Sequence, residues 1–390
     1  MLLTAREAAQ RLGIKLDTLY AYVSRGRLRS VAVPGSRQRR YRVEEVEALR
    51  GAALPTSRPT ETEALTPVIA SSICLIENGR VFYRGEDAIA LSHTATLEDV
   101  AGLLWQAGPA VSSPPATAAA PADRTAAVGF IERCQTRLAM LADRDLPALD
   151  LTRSGLIRTG RLIVRELAAC LVPGRVADQT APVHAQLAAA WQLDQGGADL
   201  VRRCLVLLAD HELNASTFVA RCVASTGATP YAVVTAALAA LSGRRHGGAS
   251  ARAEALFGEL ARDTDPLAAM AARLARGEDL PGFGHFLYPA GDPRAKAMLD
   301  AVGVAVPATR GAIEAAVAAG TRLTGQLPNV DFALAAAATA LQLPANSALG
   351  LFVIGRTVGW IAHAIEQYES DVLIRPRARY TGPRPAPDSG

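Results

Sequence analysis

Aromatic residues are few, 5% of the 390, although half of the chain is hydrophobic. Large rings therefore cannot fill the interior, and Ala, Leu and Val must. Ala and Leu are strong helix formers, so the composition points to a mainly α protein. Cysteines are also few. Cys74, Cys134, Cys170, Cys204 and Cys222 are scattered, odd in number and without a CxxC pair. That spacing argues against a disulfide framework and a cysteine-based zinc site, and it suits a reducing, cytoplasmic setting. Met1–Arg6 lacks the long apolar core and cleavage site of a signal peptide. Charge is missing from two long runs, Cys222 to Gly243 and Phe332 to Gly355. A membrane span needs about 20 predominantly apolar residues. Gly227 and Pro230 break the first run, and Gln342, Pro344 and Asn346 the second. Both are expected to be buried helices, with no membrane segment.

What is present divides unevenly. Residues 1–50 carry eleven Lys/Arg against five Asp/Glu, a surplus of six, while the whole chain is only +4. A basic head on a near-neutral body suggests two joined tasks, and the length allows two or three domains. In the head, Thr4 and Glu7 have the spacing of a capping box. Ala8, Ala9 and Leu12 follow on one apolar face, and Gly13 ends the helix. A second helix is expected from Leu16 to Arg25, with Leu19, Tyr20 and Val23 facing inward. Leu28–Val33, a Pro34-Gly35 turn and Arg39–Val43 read as a basic hairpin, and Glu44–Leu49 as a closing helix. This order resembles the winged helix-turn-helix domains of the MerR and excisionase type, here residues 1–53. The resemblance implies a second helix lying in the DNA major groove. Lys15, Thr18, Tyr22, Arg25 and Arg27 would then face DNA, with Arg37, Arg39 and Arg40 on the hairpin. The plain alternative is a packing or protein-contact module.

Residues 54–67, rich in Pro, Thr, Ser and Glu, read as a linker. The body opens with Ile73–Gly85, two strands around an Asn78-Gly79 turn. A Pro/Ala-rich patch from Pro109 to Ala122 reads as a surface loop. Helices dominate from there. Gly227 closes one, and Thr229 with Pro230 caps and opens the next.

Three polar interruptions punctuate the alanine-rich stretch from Leu241 to Gly355. They are Arg245-His246-Gly247-Gly248, Gly282-Phe283-Gly284-His285 and Asn329-Val330-Asp331-Phe332. Histidines flanked by glycines and a lone aspartate suit carbon-acid chemistry. A base removes a weakly acidic C–H proton while donors hold the oxygen that becomes negative. Each motif also has a plain reading. Asp331 fits the N-cap of the apolar helix that follows, and His246 fits a surface histidine beside Arg244 and Arg245, which would favour its neutral form. Paired glycines after His246 permit unusual backbone angles and close approach of a ligand. No His-x3-His or His/Cys spacing occurs, so metal binding is not expected. His93, His184 and His363 read as structural or surface residues, His363 sharing a helix face with Arg356 as packing.

Together with Ala209-Asp210-His211-Glu212-Leu213-Asn214 and Gly355-Arg356-Thr357-Val358-Gly359-Trp360, these motifs resemble the active-site signature of the citrate synthase family. Ile73–Gly85 and Leu97–Trp105 also resemble the start of its bacterial members, and the resemblance covers roughly residues 68–383. It implies a mainly α fold, with a large helical domain of residues 68–247 and 343–385 and an inserted small domain of residues 248–342. It further implies condensation of acetyl-CoA with oxaloacetate through an enol or enolate, then hydrolysis of citryl-CoA to citrate and CoA. No metal or redox cofactor is implied, the coenzyme A thioester being a substrate.

In that family pattern Asp331 is the base, His246 a neutral donor to the thioester oxygen, and His285 the polariser of the oxaloacetate carbonyl. His211 binds oxaloacetate. Asn214, one turn later on the same helical face, either positions substrate or packs as a helix amide. Arg294, Arg356 and Arg375 supply the forked charges that a dicarboxylate needs, Arg375 coming from the partner subunit of a homodimer.

Two departures stand out: Phe286-Leu287 where many bacterial members have a basic residue, and Ser250 where Asn is usual. They leave the acyl partner open. Propionyl-CoA would make a 2-methylcitrate synthase, and one methylene is worth only about 1–3 kcal/mol in a pocket. The rival from another class is a DNA-binding regulator whose body senses citrate, oxaloacetate or CoA esters.

Overall fold

The computed structural model describes residues 2–12, 19, 23, 28, 30–32, 39–43, 46, 69–107, 129–172, 181–260 and 265–382. The chain divides into two compact units, Met1–Ala70 and Ser71–Gly390. In the first, the Ala5–Leu12 helix starts at the expected capping box. The Thr4 backbone N–H donates to Glu7 Oε2 at 2.7 Å, and Glu7 N–H donates to Thr4 Oγ1 at 3.2 Å. Ser30–Ala32 pairs antiparallel with Arg39–Arg42 as the hairpin expectation required. A strand the sequence did not suggest, Leu2–Leu3, pairs on the other edge of Arg39–Arg42. Leu3, Ala8, Ala9, Leu19, Leu28, Tyr41 and Val46 form this unit's own core. Arg39 is exposed and donates across the hairpin to Ser30 Oγ at 2.9 Å, while Arg40 is half-buried. Lys15, Thr18, Tyr22, Arg25, Arg27 and Arg37, the 54–67 linker and the 109–122 patch lie outside the described residues.

The second unit begins with the expected hairpin, Cys74–Glu77 against Arg80–Tyr83. Asn78 and Gly79 have φ of 51° and 71°, the paired positive values that a two-residue hairpin turn demands. A short third strand, Glu86–Asp87, extends the sheet. Among the described residues the later regular elements are all helices. The charge-free runs fold as buried helices, as expected. The first becomes Ala215–Ala224 and Pro230–Leu241, broken at Gly227 with φ 75°. Thr229 occupies the N-cap position there but makes no side-chain cap bond, so Pro230 alone opens that helix. The second run becomes Val330–Ala340 and Ser347–Ser370, separated by a turn through Gln342 and Asn346.

Ser347–Ser370 is long and apolar enough to cross a membrane, yet it runs through the body's core with Phe352, Val353, Ile354, Trp360, Ile361 and Ile365 buried. Val330–Ala340 buries five consecutive small or branched side chains, Ala333 to Ala337. Small residues let helices approach closely, which is where the missing aromatics matter. The few rings are concentrated instead. Phe332 sits 4.9 Å from Phe257 and 5.0 Å from Phe283, centroid to centroid. Phe283 in turn fills the space over Gly320, where a Cβ would lie 2.0 Å from the ring. Aromatic contacts of this kind add about 0.5–1.5 kcal/mol to the burial itself. They pin the Gly282–His285 loop onto the start of the Val330–Ala340 helix.

Candidate active site

Four elements carry the polar motifs: the turn around His211, the 243–248 turn, the Gly282–Tyr288 loop and the N-terminus of Val330–Ala340. The last two are tied together by Asn329. Its Oδ1 accepts from Asp331 N–H at 3.0 Å, and its Nδ2 donates to the Gly284 carbonyl at 2.9 Å. Its own N–H donates to the Gly282 carbonyl at 2.8 Å. Gly282 has φ 90° and room for no Cβ, since Phe332 Cβ would lie 2.8 Å away. Asn329, not Asp331, is therefore the N-cap. The plain reading of Asp331 fails, and its carboxylate is released for other work.

Asp331 is partly open to solvent. Ser250, fully buried, donates to Oδ1 at 2.5 Å. Burial raises the carboxyl above the ordinary aspartate range, while the Ser250 hydroxyl and the Arg294 charge pull it back. The Ser250 departure thus supplies a hydroxyl partner to Oδ1, and among the described residues Oδ2 has no side-chain hydrogen bond.

His246 is half-buried, and its Nε2 lies 2.8 Å from Ser216 Oγ. Ser216 accepts from Trp360 Nε1 at 3.2 Å and donates to Asn214 Oδ1 at 2.9 Å, so the hydroxyl that orients the His246 ring is itself held on two sides. Burial lowers the His246 pKa to about 4, with Arg356 adding to the effect. Arg244 and Arg245, expected to supply this, are exposed and do not. The Gly247-Gly248 pair also differs from expectation, for neither has a positive φ. Gly247 is needed for closeness: a Cβ there would lie 2.6 Å from the Leu241 carbonyl.

His285 Nδ1 accepts from Leu287 N–H at 3.2 Å, so a neutral ring carries its proton on Nε2. Its pKa is lowered, first by burial and then by Arg294. His211 is buried, and its Nε2 is 2.7 Å from the Tyr288 hydroxyl. Burial, then Arg294 and Arg356, holds His211 well below the ordinary range. The His211 and His285 rings meet edge-on at 5.2 Å, and Tyr288 lies within 5.5 Å of both. Phe286 stacks on His285 at 5.2 Å and is otherwise 75% exposed.

Both expected arginines of this chain's own pocket are enclosed. Arg294 forks onto Asp292, with Nε 3.0 Å from Oδ1 and Nη2 2.7 Å from Oδ2. Arg356 donates from Nε to the Leu208 carbonyl at 2.9 Å, and its buried Nη1 has no protein partner. A buried guanidinium N–H left open is a seat for an anionic oxygen. Asn214 differs from expectation. His211 lies in a turn, not on a shared helical face, and Asn214 caps Ala215–Ala224 by accepting from Thr217 N–H at 3.0 Å. Arg375 is exposed on the non-helical 371–382 segment. Sequence reasoning passed over Tyr288, Ser216 and Asp292. Tyr288 stands three residues past His285 and Asp292 two before Arg294, and that spacing was the available signal. A separate cavity of about 1100 Å³ lies between Pro293–Ala305 and Arg310–Thr324; none of the three histidines lines it.

Fold and site together define a mainly helical protein whose candidate pocket gathers three histidines of lowered pKa, a carboxyl raised by burial and two enclosed guanidinium groups. The family model described as "Citrate synthase, C-terminal domain" matches residues 64–377, and a "Helix-turn-helix domain" model matches residues 2–51. The chain belongs to the citrate synthase family. It is 39% identical over 229 residues to a protein named putative citrate synthase 2 from Mycobacterium tuberculosis H37Rv, a stretch covering 56% of this chain and 61% of that one. The chain thus spans about three fifths of the length of that curated relative. The citrate synthase of Thermotoga maritima superposes with a TM-score of 0.67 at 24% identity, covering 85% of this chain and 98% of that one. That of Thermoplasma acidophilum, solved with carboxymethyl coenzyme A and oxaloacetate, gives 0.65 at 23%, covering 82% and 95%. These two likenesses carry the fold alone.

The three ring shifts have one sign. A histidine with a lowered folded value binds fewer protons folded than unfolded, so its stabilisation is complete above the unfolded value and is lost as pH falls. For His246 the window runs from 6.5 down to about 4. It is worth about 1–2 kcal/mol between pH 7 and pH 5. His246→Gln should therefore lose less stability than the wild type over that range in urea unfolding. An equal loss would contradict a buried, neutral His246.

Proposed function

We propose that the body condenses acetyl-CoA with oxaloacetate and hydrolyses the resulting citryl thioester, releasing citrate and CoA. The observation that carries this reading is the state of Asp331. Its carboxylate is relieved of capping by Asn329, held through one oxygen by Ser250 and raised by burial above the ordinary aspartate range. In this reading Asp331 takes a proton from the acyl methyl group. His246, held neutral by burial, donates to the thioester oxygen as the enolate forms. His285 donates through Nε2 to the ketone oxygen, and the new C–C bond places negative charge there. Arg356 Nη1 receives one carboxylate and Arg294, its fork taken by Asp292, adds its charge to the pocket, with His211 and Asn214 as further members. Removing one such donor costs about 10²–10³ in rate. Base and donors here are this chain's own side chains, and the coenzyme A thioester enters as substrate.

The same reading divides the body into a large domain, residues 68–247 and 343–385, and a small one, residues 248–342. Asp331 and His285 stand on the second, His211, His246 and Arg356 on the first. Closure of one on the other would assemble the site and exclude water. It also makes the working form a cytoplasmic homodimer in which the partner subunit's Arg375 completes the dicarboxylate pocket.

The head supports a second activity. Its match to a helix-turn-helix domain and its surplus of six basic residues favour DNA binding, the described Arg39 and Arg40 lying on the hairpin. Phosphate contacts release counterions, so such binding should weaken steeply with salt in a gel-shift assay. Retardation that ignores salt, or none at all, would remove this activity.

Thiol release is the assay for the body. Purified protein with oxaloacetate and acetyl-CoA should liberate free CoA, and Asp331→Ala should reduce kcat by at least about a thousandfold. Full activity of that variant would remove the assigned base. Running propionyl-CoA in parallel ranks the two acyl partners by kcat/KM, the higher value distinguishing a citrate from a 2-methylcitrate synthase.

A further inference from the structure

The turn that presents His211 is bent at Glu212, a non-glycine residue with φ 53°. Such a conformation is strained for a residue with a side chain and persists only where its surroundings determine it. Asp210 supplies that determination. Its Oδ1 accepts from Glu212 N–H at 3.1 Å, and the Tyr83 hydroxyl lies 3.3 Å from its carbonyl. The Asp210 side chain is fully buried, and a buried carboxylate needs partners. His363, equally buried, places Nε2 3.3 Å from Oδ2 and 3.4 Å from Oδ1.

The direction of that contact is set from behind. Arg221 Nη1 lies 3.3 Å from His363 Nδ1, and a guanidinium can only donate. Nδ1 is therefore the acceptor, and Nε2 carries the proton that faces Asp210. Arg221 is itself fixed, through Nη1 to Glu366 Oε2 at 2.6 Å and through Nε to Gln367 Oε1 at 3.0 Å. Glu366 Oε1 in turn accepts from Ser72 N–H at 2.8 Å. On the other side of the carboxylate, Gly359 lets the Ser347–Ser370 helix come so close that a Cβ would lie 2.3 Å from Asp210 Oδ2. The same helix carries Arg356, on which Asp210 is the strongest opposite charge.

We infer that Asp210, oriented by His363 and Arg221, is a positioning carboxylate of the oxaloacetate pocket. It locks the strained turn that presents His211 and balances Arg356, whose open Nη1 is left for a substrate carboxylate. His363 is thus more than packing. The inference deepens the condensation reading and rests on it for the identity of the ligand.

Two substitutions separate positioning from packing. In His363→Gln the amide nitrogen reaches the place of Nε2 and still donates to Asp210; in His363→Asn it stops short. His363→Asn should raise the KM for oxaloacetate by about tenfold or more, the scale of one lost bond to a charged group. The KM for acetyl-CoA should stay within about twofold, and His363→Gln should recover most of the loss. Amide hydrogen exchange at Glu212 should be faster in the Asn variant and near wild type in the Gln variant. Unchanged oxaloacetate KM in His363→Asn, or equal damage to both KM values in both variants, overturns the inference. A wild type that releases no CoA sinks the condensation reading instead. The exchange comparison, which needs no substrate, then decides the positioning role: faster exchange in His363→Asn alone supports it, and equal rates overturn it.

Discussion

The site depends on what Asn329 does with its three polar groups. One caps the Val330–Ala340 helix, one holds the Gly284 carbonyl, and the backbone N–H holds Gly282. A helix N-terminus leaves several N–H groups unsatisfied, and an acidic residue in the first turn is the ordinary solution. Here an amide takes that task two residues earlier. The aspartate that follows keeps its lone pairs. The same amide fixes the loop one residue before His285, so base and polariser are placed by a single side chain. Phe283 and Phe332 supply the apolar half of that anchorage.

Around this anchor the electrostatics are consistent. Burial and two enclosed arginines push three histidines toward the neutral form, in which each has one N–H to give and one nitrogen to be oriented. Ser216, Leu287 N–H and Tyr288 do the orienting. Burial pushes the lone carboxylate the other way, toward a better base. A cationic, partly dry pocket with neutral donors and one basic carboxylate is what stabilising an enolate beside a dicarboxylate requires.

Much of this was legible in the residues. The mainly α body followed from Ala and Leu, the Asn78-Gly79 hairpin from its turn chemistry, and the buried helices from charge-free runs broken at Gly227 and Asn346. What stayed hidden depended on contacts between segments far apart in the chain. The plain alternative for Asp331 was a cap because capping is local, and only the structure shows Asn329 taking that place and spanning to Gly284. Arg244 and Arg245 looked like a source of His246's neutrality because they adjoin it, whereas burial is the main cause and Arg356, more than a hundred residues later, adds to it through space. His363 read as packing since its partners, Asp210 and Arg221, lie on other elements. Ser250 read as a departure that left the acyl partner open, and its hydroxyl is a partner of Asp331.

The division of labour between base and polariser is the core of the account, and methyl proton exchange separates the two. Incubated in deuterated water with acetyl-CoA and a dicarboxylate that lacks the reactive ketone, the protein should exchange the acyl methyl protons without forming a C–C bond. The account predicts that Asp331→Asn abolishes this exchange while His285→Gln, which acts on the missing ketone, retains it. Exchange that persists in Asp331→Asn would contradict it.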